Sequence, residues 1–568
     1  MSKLNQLTLL LFICFNVNMK AQESTLKIGP KLKGISNVLD VSISENSLHV
    51  LAGDYNSGLS AWKLSPMSLI PNGEPKPVLS SKKKVGAMVA NAKELSYYNL
   101  FSGNQKSFIF YNKKESKDKT SQLFYQNLDN GFIPTSKPTK LATRNTEGGV
   151  KTGLFKNKSV DGGGYDLISN AKGDQLLIVN QAPDRKVDKK VSAPGAVTLS
   201  LYNTSDMNEV GSGTFDLGIE NFGSDAVLGN DGYVYCLVYV AVGSKEERKE
   251  KKKNGEAYWH YKIVGVNLYQ SDAKAFEYDL IFKNKGILKA SLEVTDNGEL
   301  VCAGTYSELT KKGNIDDFDG IFYAKLDPKT GAVLSDNQKK LDRETVQFFT
   351  SAKNANNDEG VSANFKIRGF EIMENGTSNL ILEEDYYYRV TTRTKNGTYT
   401  TDHYVSKAIM VANIAGDGEI NWIQHIPKHQ HTTNDGGKFN SFTYFKDKNT
   451  LKFVFADNNR NYDDKSFKLK PDKSKNINEM YVAAGAQSTA YATLDEKGKT
   501  TQKLLCYTKK YLLYTRYATW SSSGNEIYFQ ALKLTPPIVS ALGCLFPPFG
   551  IYLLMRDASN SIARLELD

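Results

Sequence analysis

The sequence has few cysteines, and none stands in a pattern that binds metal. Five cysteines occur among 568 residues, and no C-x-x-C pair is present. A zinc knuckle and a thioredoxin-like redox motif are therefore excluded. Four cysteines lie in apolar, strand-like strings, namely Cys236, Cys302, Cys506 and Cys544. We expect them to be buried free thiols, because a free cysteine packs as a small hydrophobic side chain.

Clear helical periodicity is scarce, and so are basic blocks interleaved with aromatic residues. The net charge of +10 is small for a chain of this length and is spread along it. This distribution argues against a nucleic-acid partner. The chain has no G-x-S-x-G elbow and no H-E-x-x-H pair, which removes two common catalytic signatures. We predict no catalytic residue and no cofactor.

The first 21 residues read as a secretory signal peptide. Lys3 supplies the positive start, Leu7 to Phe15 form a short apolar core, and Ala21 precedes a plausible cleavage point. The apolar run is too short to span a bilayer comfortably. We therefore predict no transmembrane anchor and export to the periplasm, the cell surface or the medium, with an uncleaved anchor as the alternative.

A repeated pattern of apolar segments and tight polar turns runs through the rest of the chain. The turns recur eight times at intervals of 58 to 78 residues, at Asn46, Asn104, Gly173, Gly232, Gly298, Gly376, Asn449 and Gly524. Asn-Gly, Asp-Gly and related pairs take the positive backbone angles that a hairpin requires. A third apolar string follows each turn, and a fourth follows most of them. Each unit therefore reads as four antiparallel strands.

Four antiparallel strands repeated radially are typical of a β-propeller. We predict an all-β fold, one closed propeller over residues 22–568 with eight blades, and seven blades as the alternative. The third strand of the eighth unit ends at Asp568, whereas Leu26 lies in an unassigned strand ahead of the first unit. We expect this N-terminal strand to complete the last blade by joining the strand that contains Ile562 and Leu565.

Long insertions fall mainly between the second and third strands of a unit, at about 243–260, 385–406 and 458–485. Loops on a rigid scaffold commonly carry function. The first insertion contains the charged run KEERKEKKK, which we expect to be a solvated tip, or a dock for an acidic partner. The acid pair Glu383–Glu384 precedes the second insertion, but adjacent strand residues point to opposite faces, which does not suit a glycosidase.

The second insertion is the best candidate for a binding surface. Its two halves, YYYRV and YTTDHYV, flank a Lys-Asn-Gly turn and predict a hairpin that extends beyond its blade. Tyr387, Arg389, Tyr399 and Tyr404 would offer aromatic planes and a cation, which dominate interface hot spots. We expect an exported, non-catalytic protein that binds a protein or glycan partner at the cell envelope. The alternatives are a propeller hydrolase or lyase acting on extracellular polysaccharide or peptide, and a structural component of the envelope.

Three of the six histidines lie between His425 and Gly437, in the string HIPKHQHTTNDGG. Imidazoles in one loop can converge on zinc or copper, and a carboxylate can add an oxygen ligand. The spacing matches no established ligand pattern, so we predict a solvated crossover without metal. If an ion binds there, the candidate ligands are His429, His431 and Asp435.

The stretch W-x-x-x-I-P-K-x-Q, from Trp422 to Gln430, resembles a motif in uncharacterised secreted proteins of Bacteroidota. The Ala-Gln junction at residue 21 is similar to the end of many signal peptides in that group. The resemblance covers one crossover and carries no assigned activity. It implies a secreted β-propeller-like protein, and it adds Trp422, Lys428 and Gln430 to the candidate binding residues.

Overall fold

The computed structural model describes residues 26–567 with gaps at 45–46, 55–56, 82–87, 103–105, 116–117, 147–163, 183–184, 187–191, 194–195, 216–220, 230, 242–243, 271–273, 296, 312–314, 351–355, 357–359, 395–396, 475, 481–486, 509–510 and 534–558. Outside these residues lie the signal peptide, Cys544, the turn residues Asn46 and Asn104, and Lys395 and Asn396 of the Lys-Asn-Gly turn. Within the described residues, no helix has the length and apolar character needed to cross a membrane.

The described chain is nearly all β-structure, as predicted, and forms eight largely antiparallel sheets of four or five strands. The N-terminal strand is β1 (Leu26–Ile28). The first sheet contains β2 (Ile35–Ser44), β3 (Ser47–Asp54), β4 (Leu59–Leu64), β5 (Lys76–Ser80) and β6 (Ala90–Asn91). The second contains β7 (Ser96–Ser102), β8 (Ser107–Glu115), β9 (Thr120–Leu128) and β10 (Thr139–Asn145).

The third, fourth and fifth sheets follow in chain order. The third contains β11 (Tyr165–Ser169), β12 (Gln175–Gln181), β15 (Val197–Asn203) and β16 (Glu209–Phe215), with the ribbon β13 (Arg185–Lys186) and β14 (Ser192–Ala193) between them. The fourth contains β17 (Asn221–Leu228), β18 (Tyr233–Ala241), β19 (Trp259–Asn267) and β20 (Lys274–Leu280). The fifth contains β21 (Lys285–Val294), β22 (Leu300–Glu308), β24 (Gly320–Leu326) and β25 (Val333–Lys340).

The last three sheets carry the longest strands and both chain ends. A ribbon of β23 (Asp317–Phe318) and β26 (Val361–Ser362) precedes them. The sixth sheet contains β27 (Phe365–Ile372), β28 (Ser378–Thr394), β29 (Gly397–Ile414), β30 (Ile420–Ile426) and β31 (Gln430–Thr433). The seventh contains β32 (Phe442–Asp447), β33 (Thr450–Asp457), β34 (Gln487–Leu494) and β35 (Thr500–Thr508). The eighth contains β36 (Tyr511–Leu513), β37 (Thr519–Trp520), β38 (Glu526–Lys533), β39 (Ser559–Glu566) and β1.

Two α-helices and four short 3-10 helices complete the described elements. They are α1 (Lys245–Asn254), α2 (Arg343–Phe349), η1 (Leu268–Gln270), η2 (Asn459–Asn461), η3 (Pro471–Ser474) and η4 (Thr515–Tyr517). All eight predicted third strands are present as β4, β9, β15, β19, β24, β29, β34 and β39. The three long insertions lie between second and third strands, as predicted.

The turn glycines adopt the left-handed backbone that the sequence predicted. Their φ angles lie between 66° and 81° at Gly173, Gly232, Gly298, Gly376 and Gly524. A residue with a Cβ is disfavoured in this region, so these positions fix where the first strand of each sheet reverses into the second. In the seventh sheet Lys448, next to Asn449, takes this conformation with a φ of 53°.

The chain divides into two compact units, and each is described by itself. The larger unit contains residues 32–386 and 408–425, and the smaller contains 1–31, 387–407 and 426–568. The prediction of one domain over residues 22–568 stays a prediction. In the larger unit, each sheet from the first to the fifth shares a hydrophobic core with its successor. In the second to fifth sheets the second strand is therefore covered on both faces, and β22 is buried from Leu300 to Ser307.

The smaller unit contains the seventh and eighth sheets with one core between them. Val454, Leu505, Ile527 and Leu565 are among its buried residues, and Leu26 and Ile28 of β1 pack against it. Leu26 pairs with Leu565, which confirms the predicted pairing of the N-terminal strand with the strand of Ile562 and Leu565. Strand β1 is thereby the outer strand of the eighth sheet, next to β39.

The charged run KEERKEKKK, which we expected to be a solvated tip, forms helix α1. Ser244 accepts from the Glu247 N–H, and the Glu247 carboxylate accepts from the Ser244 N–H, which completes a capping box. Gly255 ends the helix with a φ of 72°. Acidic residues in the first turn and basic residues in the last turn oppose the helix dipole favourably. The helix has no buried residue, so the expected solvation is correct.

The three cysteines in the described part of the chain are buried, as expected. Cys236, Cys302 and Cys506 form no disulfide there and are at most 2% exposed. Cys236 belongs to the core of the third and fourth sheets, whereas Cys302 belongs to the core of the fourth and fifth. These two thiols therefore face different cores. Burial raises the pKa of the Cys236 thiol to about 12, which makes it an inert core side chain.

Candidate functional site

The predicted hairpin is present and extends well beyond its sheet. β28 has 17 residues and β29 has 18, whereas strands of globular proteins usually have about 5 or 6. Every described residue from Tyr387 to Thr400 is exposed. We call this segment the hairpin tip. Its sequence is rich in threonine, tyrosine and valine, which favour extended backbone, so the tip is a two-stranded ribbon without a core of its own.

Apolar surface is concentrated on the hairpin tip. Among the described residues, thirteen large hydrophobic side chains are exposed, and four of them lie between residues 387 and 399. They are Tyr387, Tyr388, Val390 and Tyr399, which are 40% to 50% exposed. Single exposed hydrophobic residues are ordinary, whereas a cluster of them marks an interaction surface.

One face at the base of the tip is built around Asp402. Arg389 donates to Asp402 through Nε at 2.6 Å and through Nη2 at 3.2 Å, and the Tyr387 hydroxyl donates to the same carboxylate at 2.7 Å. The hydrogen bonds from Arg389 and Tyr387 hold the pKa of Asp402 below its usual range. The ring of Tyr404 lies 5.3 Å from that of Tyr387. Three of the four predicted hairpin residues therefore meet, and Tyr399 stands apart on the tip.

Histidines and a carboxylate occupy another cluster at the same base. The ring of Tyr388 stacks on that of His403 with centroids 4.5 Å apart and planes 4° apart. His403 Nδ1 lies 2.8 Å from His431 Nε2, and His431 Nδ1 lies 3.1 Å from Glu479 Oε1. His429 Nε2 lies 3.5 Å from the other oxygen of Glu479. We call His403, His429, His431 and Glu479 the histidine cluster.

The crossover strand β31 brings the histidine cluster together. It pairs with β29 so that Val405 lies opposite His431 and Ser406 lies opposite Gln430. Burial lowers the pKa of His403, and the neighbouring His431 lowers it further. Burial also lowers the pKa of His429. These two imidazoles are therefore held toward their neutral form, which can accept a proton or bind a metal.

Lys428 and Gln430, both candidate binding residues, are buried at 1% and 0% exposure. Lys428 donates to Gln430 Oε1 at 3.2 Å, and the Ser441 N–H donates to the same oxygen at 2.6 Å. Gln430 Nε2 donates to the carbonyls of Ser441 and Ala456. Lys428 and Gln430 of the P-K-x-Q stretch therefore hold the crossover in place through buried hydrogen bonds. Trp422 belongs to the larger unit, where it is partly buried on β30.

Asp435 joins its own loop rather than the histidine cluster. It accepts from the Thr432 hydroxyl at 2.8 Å and from the Gly437 N–H at 2.9 Å. Burial raises the pKa of this carboxyl. Across the described ranges, no group of three or more histidine, cysteine, aspartate or glutamate side chains is arranged to hold a metal ion. Of the three candidate ligands, His429 and His431 both lie near Glu479, whereas Asp435 is hydrogen-bonded within its own loop.

Sequence reasoning missed His403 and Glu479. His403 lies 28 residues before His431, and Glu479 lies 48 residues after it. Neither belongs to a local motif. His403 reaches His431 through the pairing of β29 with β31, whereas Glu479 precedes Met480, whose N–H donates to the His429 carbonyl at 2.8 Å. These long-range pairings carry no recognisable sequence signal.

Acidic residues in the larger unit are held in structural contacts. Glu383 is 0% exposed and lies 2.6 Å from Arg368 Nη2, which also contacts Asp385 at 2.8 Å.

A separate cavity of about 530 Å³ is lined by tyrosines of neighbouring first strands and by Asp166. Burial raises the pKa of Asp166. One carboxyl in that cavity does not make the acid–base pair that glycoside hydrolysis requires.

Comparisons with known proteins add little. No protein-family model and no curated protein matches the chain. One similar solved structure comes from a study of two prolyl endopeptidases, with 11% identity, 75% of this chain covered and a TM-score of 0.32. The chain covers 55% of that protein's length. An uncharacterised protein from Listeria monocytogenes is 10% identical, with coverage of 77% of this chain and 91% of that chain and a TM-score of 0.33.

The β-propeller domain of a trilobed protease from Pyrococcus furiosus is 9% identical to the chain. The match covers 71% of this chain and 96% of that domain, with a TM-score of 0.30. Likenesses at this level carry no argument about function. The resemblance to secreted Bacteroidota proteins stays a prediction.

Proposed function

We propose that this chain is an exported, non-catalytic binding protein that presents the hairpin tip to a protein partner at the cell envelope. The observation that carries the proposal is a two-stranded ribbon exposed on both faces, with four large hydrophobic side chains concentrated on it. An isolated two-stranded ribbon is marginally stable in water. A partner that covers the ribbon would remove this apolar surface from water and would stabilise its strands.

We further propose that the eight sheets are the blades of one closed propeller, and that β1 completes the eighth blade. Shared cores between successive sheets of the larger unit support this arrangement. The pairing of Leu26 with Leu565 also supports it. In such a propeller the second-to-third connections stand on one face, which would hold the hairpin tip on a rigid platform.

A protein partner suits the ribbon better than a glycan. β31 pairs with β29 along His403–Ser406, and beyond that stretch the described ribbon has two strands. Strand edges of this kind accept a further strand from another chain, which gives affinity through main-chain hydrogen bonds. Tyrosine, arginine and valine on the ribbon would add side-chain contacts. A glycan could stack on the tyrosine rings but could not add a strand to the exposed edges of the ribbon.

The base of the ribbon supports preorganised binding. Arg389 and Tyr387 are tied to Asp402, and Tyr388 is stacked on His403. A ribbon held in its bound conformation loses less conformational entropy when a partner docks. The contacts at the base would therefore leave the tip available while fixing its direction.

The experiment replaces residues 390–401 with an Asn-Gly turn and compares partner recovery from envelope extract of the source organism. The matched control replaces residues 244–255, the twelve-residue segment of helix α1, with two glycines. We expect the hairpin variant to melt like the natural chain and to lose at least about tenfold in recovery, as expected when hot-spot residues are removed. The control should retain recovery.

Equal recovery by the hairpin variant and the natural chain would overturn the proposal. Turnover of a peptide or glycan library by the pure natural chain would instead favour the hydrolase or lyase alternative. Loss of recovery from extract treated with protease supports the protein partner. Retained recovery after such treatment would show that the partner is a glycan.

A further inference from the structure

We propose that the histidine cluster contains a copper(II) site whose protein ligands are His403 Nδ1 and His431 Nε2. Glu479 positions His431 by accepting a hydrogen bond from its other ring nitrogen, Nδ1. Water molecules occupy the remaining coordination positions of the ion. This site lies at the base of the hairpin and is independent of whether the tip binds a partner.

The hydrogen-bond pattern places the two nitrogens face to face. The carboxylate of Glu479 accepts from His431 Nδ1 at 3.1 Å, so neutral His431 carries its proton on Nδ1 and has a lone pair on Nε2. His403 Nδ1 donates to that lone pair across 2.8 Å. When the proton of His403 resides on Nε2 instead, each of the two neutral imidazoles has a lone pair on the nitrogen that faces the other ring.

The separation of these nitrogens already suits a metal ion. Metal–imidazole bonds are about 2.0–2.1 Å long, so two of them at a right angle place their nitrogens about 2.9 Å apart. The observed 2.8 Å between His403 Nδ1 and His431 Nε2 is close to that separation. The ion would be admitted when both rings turn, so that the two lone pairs converge on a point beside the line that joins the nitrogens. Cis nitrogens at a right angle belong to tetragonal coordination, the geometry that copper(II) and nickel(II) prefer.

The surroundings of the two ligands fit the second shell of a metal site. A histidine ligand usually donates its other ring N–H to a carboxylate, which fixes the tautomer and raises the basicity of the ligand. Glu479 serves this role for His431. The stacked ring of Tyr388 holds the plane of His403. The pair is thus oriented by residues from β28 and from the loop that follows β33.

Copper(II) is the divalent first-row ion that such nitrogen donors bind most tightly. The site has two protein ligands, in agreement with the lack of a closed group of three in the described chain. The His431 side chain is 22% exposed, so water can occupy the remaining positions. The negative charge of Glu479 also offsets the charge of the incoming ion.

The test titrates copper(II) chloride into the purified, tag-free full chain and follows binding by calorimetry and electron paramagnetic resonance. We expect one ion per chain and a spectrum with two coupled equatorial nitrogens. His403→Ala and His431→Ala should each remove the two-nitrogen spectrum. Glu479→Gln should weaken copper binding by about tenfold or more, the usual cost of losing such a second-shell partner.

His260→Ala is the matched control, because His260 also contacts a carboxylate, Asp279, at 2.8 Å but has no histidine beside it in the described residues. It should bind copper like the natural chain. Melting temperatures of all variants without metal establish that each one folds. Coupling to fewer than two nitrogens, or an unchanged spectrum in His403→Ala, would overturn the site. Either result would leave the partner-binding proposal untouched.

Discussion

Leu26 lies opposite Leu565, in an antiparallel ladder that also pairs Lys27 with Arg564. The ladder continues where the Gly29 N–H donates to the carbonyl of Ile562 at 2.8 Å. Strand β1, the first element of the described chain, is therefore the outer strand of the eighth sheet. In the eighth sheet, β1 therefore covers the edge of β39 that would otherwise have no neighbouring strand.

Removing residues 22–30 is predicted to lower the melting temperature clearly, because β39 would become an exposed edge strand. Leu565 is 0% exposed, and Leu565→Ala should lower the free energy of unfolding by about 2–5 kcal/mol. Lys27→Ala, at an exposed position of β1, is the control. Thermal and denaturant melts measure both effects, and an unchanged melting temperature for the truncated chain would refute the role of β1.

Gln430→Ala is predicted to lower the free energy of unfolding by about 1–3 kcal/mol, the cost of leaving buried polar groups without partners. Gln430 satisfies the Ser441 N–H and the Ala456 carbonyl in a fully buried setting. Gln424→Ala, at a partly exposed position of β30, is the control and should change stability little. Urea unfolding followed by fluorescence gives the comparison. Equal midpoints for the two variants would show that Gln430 does not fix the crossover.

Arg389→Lys is predicted to speed amide hydrogen exchange along the hairpin tip while leaving the global melting temperature unchanged. Lysine cannot reproduce the two hydrogen bonds that Arg389 makes to Asp402. The pair is exposed, so its loss should loosen the ribbon locally without unfolding the sheet. Arg393→Lys, another exposed arginine of the tip, is the control. Identical exchange in both variants would contradict the proposed stiffening of the tip.

The stability of the smaller unit is predicted to fall as the pH rises from about 4 to about 7, because of Asp457. Burial raises the pKa of this carboxyl to about 7 from its ordinary 3.8. The folded chain therefore holds this proton more tightly than the unfolded chain does. The stabilisation is fully present below about pH 4 and is lost as the pH rises through about 7.

Asp457→Asn removes this titration while keeping an oxygen near the Tyr462 hydroxyl, which donates to Asp457 Oδ2 at 2.5 Å. The difference in unfolding free energy between the natural chain and the variant should therefore shift in favour of the variant between about pH 4 and about pH 7, and should stay constant at higher pH. Urea unfolding at several pH values measures it. A difference that does not vary with pH would contradict the prediction.

Much of the fold was readable from the sequence because turn chemistry is local. Gly232 and Gly376 mark hairpins, since their left-handed backbone requires a residue without a Cβ. Helix α1 was also readable, because Ser244 and Glu247 form a capping box and Gly255 ends the helix.

The arrangement of the candidate site was not readable from the sequence. Lys428 is polar and lies in a proline-containing crossover, which favours solvent exposure, yet it is 1% exposed. Its burial depends on Gln430 as a partner and on the strands that enclose both. The contact of His403 with His431 likewise requires the register of β29 with β31. Long-range pairing of this kind is set by the packed fold and not by residue spacing.

The central claim is that the hairpin tip contacts a protein partner, and photo-crosslinking in source cells tests it most directly. A photoreactive phenylalanine replaces Tyr399, which is 48% exposed, or, as the control, Tyr269 in η1, which is 50% exposed. We predict a discrete, protease-sensitive adduct from position 399 and none from position 269. Absence of an adduct at position 399, or the same adduct from both positions, would contradict the claim.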